Sequence, residues 1–493
     1  MRSAPSIFRT FAAALTAVCL LAAGCKPVGP DYNRPAYSAP PVYKETGAPS
    51  VVPPPNPQGG SWTPANPSDG MLRGKWWEVY SDPQLNQLEE RIESSNQAVH
   101  QAMENYLAAR DQVAAVRSTL YPTLSGTAGF THDQVSHNRP LATPNSKTSY
   151  NDMILGGVGS WEPDFWGRIR RSVEASRASA QASAADMANV NLSLQAEMAA
   201  DYFQLRGLDS QIKLLKATVA DLERQLDLTQ RRLKGGVATD VDVAQAQTQL
   251  ETVRAQLVDI SVGRAQFEHA VGTIAYYNAS EFSLPFSPLD LTLPTVPIGV
   301  PSQLLERRPD IASAERQAAA ANARIGIAVS AYYPTISLGG SGGVETTHIE
   351  SLFQGPSAFW SLGAQATQLL FDAGQRRALT DLARQQYEAQ AAAYRSTVIQ
   401  AFQDVEDNLS SLRILNQEAA VEQNAVAAAQ RSFNLSNQRY KGGATSYLEV
   451  LTAETTLLNN QRTLTDLQTR QFAASVQLIR ALGGGWDVTQ LPK

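Results

Sequence analysis

Leu208, Ile212, Leu215, Val219, Leu222, Leu226 and Leu233 follow one another at intervals of three, four and seven residues, the spacing of a coiled-coil seam and not of a strand. After a Gly-Gly break the pattern resumes with Leu250, Val253, Leu257, Ile260, Phe267 and Val271. Val398, Phe402, Val405, Leu409 and Leu412 repeat it far downstream, followed by Val450, Ala453, Leu457, Leu464, Leu467 and Leu478. No proline lies between Pro163 and Pro285, nor from Ser357 to Leu491, so nothing interrupts helix in either stretch. A helix over 168–233 would run on the order of 100 Å, far more than a compact globule needs. Asp82-Pro83 is a helix start, and with no proline before Pro122 it predicts one further helix of roughly 35 residues.

Lys234-Gly235-Gly236 and Lys441-Gly442-Gly443 stand where the long helices must stop, each with a cation at the helix end and glycine free to take left-handed angles. They predict hairpin turns. A phosphate-cradling loop would need a Lys followed by Ser or Thr, which neither has.

Four shorter segments read differently: 124–131, 154–161, 336–344 and 358–370. Leu124, Ala128 and Phe130, then Trp360, Leu362, Ala364 and Ala366, alternate with glycine and polar residues. Such alternation over about ten residues suits a membrane-spanning strand with one face to lipid, and also a soluble β-hairpin. Four strands cannot close a barrel, since bacterial barrels start at about eight, so membrane strands would require subunits to associate.

The halves also match each other. Tyr121-Pro122-Thr123-Leu124 returns as Tyr333-Pro334-Thr335-Ile336, Gly167-Arg168-Ile169-Arg170-Arg171 as Gly374-Gln375-Arg376-Arg377-Ala378, and the two Lys-Gly-Gly turns keep the same order. This is an internal duplication, at a period far longer than a solenoid repeat.

At the N-terminus Arg2 and Arg9 precede an apolar run from Phe11 to Leu21, too short to span a bilayer but suited to a secretory signal. The run ends in Leu21-Ala22-Ala23-Gly24-Cys25, small residues before a cysteine, which predicts lipidation at Cys25. Cys19 would leave with the signal, so the mature chain has no thiol pair for a disulfide. The proline-crowded stretch from Lys26 to about Asp69 reads as an extended tether. The organisation is then 1–24 signal peptide, 25–75 lipidated extended segment, 76–283 first repeat (helix, two strands, long helical hairpin), 284–301 connector, 302–482 second repeat and 483–493 tail.

A net charge of -5 without a basic run argues against nucleic acid as a partner. His100, His132, His137, His269 and His348 are scattered and form no constellation with a nucleophile, so no catalytic residue, metal site or cofactor is expected and the chain does not read as an enzyme.

Val28-Gly29-Pro30-Asp31-Tyr32-Asn33-Arg34-Pro35 behind the cysteine, Trp76-Trp77-Glu78, Leu304-Leu305-Glu306-Arg307-Arg308-Pro309-Asp310-Ile311 and Ala321-Asn322-Ala323-Arg324-Ile325-Gly326 complete the pattern. Together they resemble the TolC-like outer-membrane efflux family in its lipidated NodT/OprM branch. The resemblance runs from about Cys25 to Leu482. It implies a mainly α fold with a membrane β-barrel: a homotrimer with a trimeric α-helical barrel and a twelve-stranded β-barrel, four strands from each chain. It also implies an outer-membrane, lipid-anchored location extending into the periplasm, and work as the passive exit duct of a tripartite efflux pump. The partners would be a periplasmic adaptor, an inner-membrane pump of the RND type and outer-membrane lipid. By position against the Gly442-Gly443 turn, Glu449 matches the acidic ring of the family's periplasmic gate, and Asp242 and Tyr440 match members of its closing network. Thr445 and Thr452 stand where the family's type channel has a gate arginine and a second ring aspartate. A carboxylate at a helix start also stabilises that helix whatever else it does, so both readings stay open for Glu449 and Asp242. Related channels serve protein secretion, and a lipidated coiled-coil scaffold would share the seams but needs neither strands nor tip carboxylates.

Overall fold

The computed structural model describes residues 26–37, 39–46, 74–136, 148–296 and 304–492. The signal segment, Cys25, most of the tether, His137 and the end of the connector lie outside the described residues. The two halves carry the same series of elements. The first has α1 (Pro83–Ser95), α2 (Gln97–Ser118), β1 (Thr123–Gln134), β2 (Ser149–Trp161), α3 (Arg168–Lys234) and α4 (Asp240–Ile274). The second has a helical turn α5 (Leu304–Arg307), α6 (Pro309–Ser330), β3 (Thr335–Thr346), β4 (Ala358–Thr367), α7 (Gln375–Lys441) and α8 (Tyr447–Ala481). Helices α3 and α7 are both 67 residues long, and α4 and α8 both 35.

The single helix expected from Pro83 onward is two helices. Asn96 breaks it with an extended backbone, φ -72° and ψ 127°. Its side chain accepts from the Ala98 amide at 2.8 Å and donates to the Ile274 carbonyl at 2.9 Å. A short amide that can cap the following turn competes with the helix ladder, and here a buried tertiary acceptor decides the competition.

The chain divides into two compact units, and α3 and α7 contribute residues to both. One unit holds the start of the described chain, residues 106–182 and 314–394. Its four strands form one antiparallel sheet in the order β1-β2-β3-β4, with Thr123 opposite Ser160, Met153 opposite Thr346 and Thr335 opposite Thr367. Leu124, Phe130, Trp360 and Leu362 are exposed. Both long helices leave the sheet by the same device. Asp164 takes the amides of Ile169 and Arg170 at 3.1 and 2.9 Å and the Arg170 guanidinium at 3.2 Å. Asp372 takes the amide of Arg376 at 3.1 Å and its guanidinium at 2.5 Å. The chain between carries Gly167 at φ +79° and Gly374 at φ +90°. The Val28–Tyr32 segment is clasped in this unit too. Arg171, almost fully buried, donates to the Val28 and Gly29 carbonyls and to Asp31 at 2.9 Å, and Tyr32 donates to Glu315 at 2.7 Å. Gly29, at φ +94°, comes so close to Gly326 that an added Cβ would lie 2.4 Å from the latter's Cα, well inside the ordinary carbon contact distance of about 3.5 to 4 Å.

The other unit holds 36–105, 183–313 and 395–493. Its core follows the seam expected from the spacing: Leu215, Leu222, Leu250 and Val253 are buried together, with Val219, Leu226, Leu257 and Ile260 against them, and Leu458, which the spacing does not include, completes the cluster. Trp76, Trp77 and Tyr80 are buried in a short 3-10 helix before α1, where Tyr80 packs on Phe203 and Phe472. Arg308 donates to Asp310 at 2.6 Å, Asp404 at 3.0 Å and the Ala481 carbonyl at 3.3 Å, so the Arg-Pro-Asp segment ties the start of α6 to α7 and α8.

Candidate functional site: the helical hairpin tips

Both tips turn the same way. After α3 the amides of Gly235, Gly236 and Val237 donate to the carbonyls of Arg231, Leu233 and Arg232. After α7 the amides of Gly442, Gly443 and Ala444 donate to Gln438, Tyr440 and Arg439. Gly236 at φ +72° and Gly443 at φ +74° supply the left-handed residue on which each helix ends.

The two helices leaving these turns start differently. Helix α4 opens with a reciprocal cap: the Asp242 amide donates to the Thr239 hydroxyl at 3.3 Å, while Asp242 Oδ2 accepts from the Thr239 amide at 2.8 Å and its hydroxyl at 2.9 Å. Helix α8 has Ser446 at its N-cap with no side-chain cap bond. Glu449 turns back instead across its own hairpin, accepting from the Thr445 hydroxyl, from Arg439 Nη1 at 3.2 Å and from the Ser436 hydroxyl at 3.4 Å. Glu449 also lines a cleft of about 480 Å³ with Ser432, Ser436, Leu448, Thr452 and Thr456. Thr445 is thus a direct partner of the carboxylate.

Tyr440 is buried. Its ring meets Tyr447 edge-on at 5.5 Å, the Arg232 guanidinium stands 4.5 Å from its centroid, and its hydroxyl is 3.5 Å from Thr229 Oγ1. Arg232 also donates to the Lys441 carbonyl at 3.2 Å. Tyr440 therefore joins the second hairpin to α3. Within a single chain Asp242 and Tyr440 share no hydrogen bond among the described residues, and the bonds of Asp242 return to Thr239.

Sequence reasoning passed over four residues here. Arg439 and Tyr447 lie opposite Glu449 and Tyr440 across the turn, a pairing that the antiparallel register about Gly443 would have indicated. Gln225 and Glu454 carried no sequence signal, because both lie inside the hydrophobic seam. Glu454 is 5% exposed. Its Oε1 accepts from Gln225 Nε2 at 3.0 Å, Gln225 Oε1 accepts from the Tyr447 hydroxyl at 3.4 Å, and Glu454 Oε2 has no partner. Burial, with a smaller push from Asp221 and against the Gln225 hydrogen bond, raises the Glu454 carboxyl to about 7. Among the described residues no group of His, Cys, Asp and Glu is arranged to hold a metal.

Known proteins resemble this chain in sequence and fold. The family model for outer membrane efflux proteins matches residues 88–273 and 300–484. The chain is 30% identical to the probable efflux pump outer membrane protein TtgC of Pseudomonas putida over 476 residues, covering 96% of this chain and 95% of that one. It is also 30% identical to the pyoverdine export outer membrane protein OpmQ of Pseudomonas aeruginosa over 428 residues, covering 86% and 90%. The solved structure of the outer-membrane channel OprN superposes with a TM-score of 0.84 at 28% identity, covering 93% of this chain and 99% of that one. With its duplicated series of strands and long hairpins and a match over most of its length, the chain belongs to the outer membrane efflux protein family.

Proposed function

We propose that three copies of this chain form the outer-membrane exit duct of a tripartite efflux pump, narrowing at the hairpin tips to a gate in which Glu449 forms the acidic ring. The observation that carries this reading is the four-stranded sheet. Its outer strands β1 and β4 each have a single neighbour within the chain, while apolar Leu124, Phe130, Trp360 and Leu362 stand exposed. Unpaired strand edges are not tolerated in hydrocarbon, so further copies must complete the cylinder, and three of them supply twelve strands. Each copy is anchored through Cys25, and the duplicated segments 76–283 and 302–482 act as two quasi-equivalent staves of the tube. The duct is passive. A periplasmic adaptor and an inner-membrane pump deliver the cargo, in keeping with the export and efflux names of the relatives.

Three carboxylates around one axis favour cations over anions. Purified protein in planar bilayers should conduct as a trimer, and Glu449→Ala should lower cation selectivity and relieve block by trivalent cations without altering assembly. Unchanged selectivity and block in an assembled variant would reduce Glu449 to a helix-start residue bonded to Arg439. A monodisperse, non-conducting monomer in several mild detergents would remove the duct itself.

A further inference from the structure

Glu454 has no part in the ring or the turns, yet it is the most enclosed carboxylate at the tips. It faces α3 from α8 and so sits between the first hairpin and the second. Along α8 it lies between Val450, buried in a cluster with Ala246, Tyr440 and Tyr447, and Leu458, buried in a cluster with Leu222, Leu250 and Val253. Its one hydrogen bond comes from a neutral amide, and its second oxygen is sealed from water without a donor. The charged and titratable groups around it are few. Asp221 on α3 is exposed and paired with Arg224, Tyr447 stands on the first turn of α8, Tyr440 on α7, and Asp242 at the start of α4 acts on Tyr447 from a distance. No cation among the described residues bonds to the Glu454 carboxylate.

We propose that Glu454 is a proton-controlled latch between the two hairpins: neutral, it lets α8 pack against α3 as seen here, and ionised, it draws water into the seam and loosens that packing. A neutral carboxyl still accepts from Gln225 at modest cost, whereas a carboxylate with one neutral donor and one bare oxygen is among the costlier buried groups. Hydrating it requires the hairpins to part. The sign follows from the raised carboxyl: the packed state has its full advantage below the ordinary value of 4.5 and loses it as pH rises through about 7. This latch rests on the tip-gate reading only for its effect on conduction, since the packing change it describes can be observed without current.

The test uses the full-length purified protein. Hydrogen exchange of segments 222–250 and 446–458, corrected for intrinsic rates, should rise with a midpoint near pH 7 in the wild type. Glu454→Gln keeps the Gln225 bond but cannot ionise, so its exchange should stay at the low-pH level throughout; Glu454→Leu should do the same should the Gln variant assemble poorly. Glu449→Ala should keep the wild-type midpoint. Bilayer conductance measured in parallel separates the two ideas. If exchange loses its midpoint in Glu454→Gln and conductance loses it too, latch and gate both stand. If exchange alone loses it, the latch stands and the gate reading falls. Should Glu454→Gln and Glu454→Leu titrate like the wild type, Glu454 is a spectator and the latch is overturned.

Discussion

The Asp209 carboxylate and the Arg264 guanidinium meet at 2.7 Å between α3 and α4, in a place where Asp209 has no exposure at all. The same carboxylate takes Arg206 at 3.2 Å and the Ser287 amide at 3.0 Å, while the two arginines donate to the carbonyls of Leu284 and Pro285. Asp209 thus compensates Arg206, shares Arg264 with Glu268, which stands 3.4 Å from that guanidinium, and helps pin the connector leaving the first half. Removing one member of such a centre leaves charge buried without compensation, which costs about 3–5 kcal/mol. Asp209→Ala should therefore unfold at markedly lower denaturant and expose the chain near Pro285 to protease. A midpoint within error of the wild type would mean that water replaces the carboxylate at no cost.

Glu89 provides a test by pH. Its carboxyl is wholly buried in α1, neither oxygen has a partner, and burial alone drives its proton affinity well above the ordinary carboxylate range. Stability that depends on its neutral form is complete below 4.5, the ordinary value, and is lost as pH rises through the raised one. Glu89→Met removes that loss and keeps the volume. Its gain should be small near pH 4 and reach about 1–4 kcal/mol at alkaline pH. Equal gains at both ends of a thermal-melt series would show that the carboxylate is hydrated.

The long helices, their ends and the four strands were legible because they rest on spacing and on prohibition: leucines at intervals of three and four, no proline, and glycine where left-handed angles are required. β1, β2 and β3 run a few residues further than the alternation indicated, to Gln134 and back to Ser149 in the first pair, because the ladder tolerates polar residues once pairing has begun, whereas β4 stops at Thr367, short of the expected 370, where its partner β3 begins at Thr335. Asn96 was illegible because an asparagine inside a helical pattern is usually solvated, and only the Ile274 carbonyl reveals its work. The same holds at the tips. Glu449 and Asp242 could be placed by counting from the turns, but the bond from Arg439 to Glu449 depends on the register of the hairpin, and Glu454 on which face of α8 meets α3.

Thr239 and Asp242 allow the two roles of a tip carboxylate to be separated. Within one chain they form a closed pair, each satisfying an amide or hydroxyl of the other. Losing an N-cap costs about 0.5–2 kcal/mol, so Thr239→Ala and Asp242→Ala should loosen the first turn of α4 by similar amounts, read as faster amide exchange at Val241–Val243. A carboxylate that only caps would then affect resting conductance no more than its threonine partner does. As a member of a closing network between hairpins it would do more, because removing it also frees the neighbouring hairpin to move outward. Asp242→Ala is therefore expected to raise resting conductance and passive drug entry well beyond Thr239→Ala, at equal loss of helix-start protection. If the two variants leak equally, the cap accounts for the whole effect and the closing role passes to Tyr440, whose edge-on contact with Tyr447 and place against Arg232 already join the second hairpin to α3.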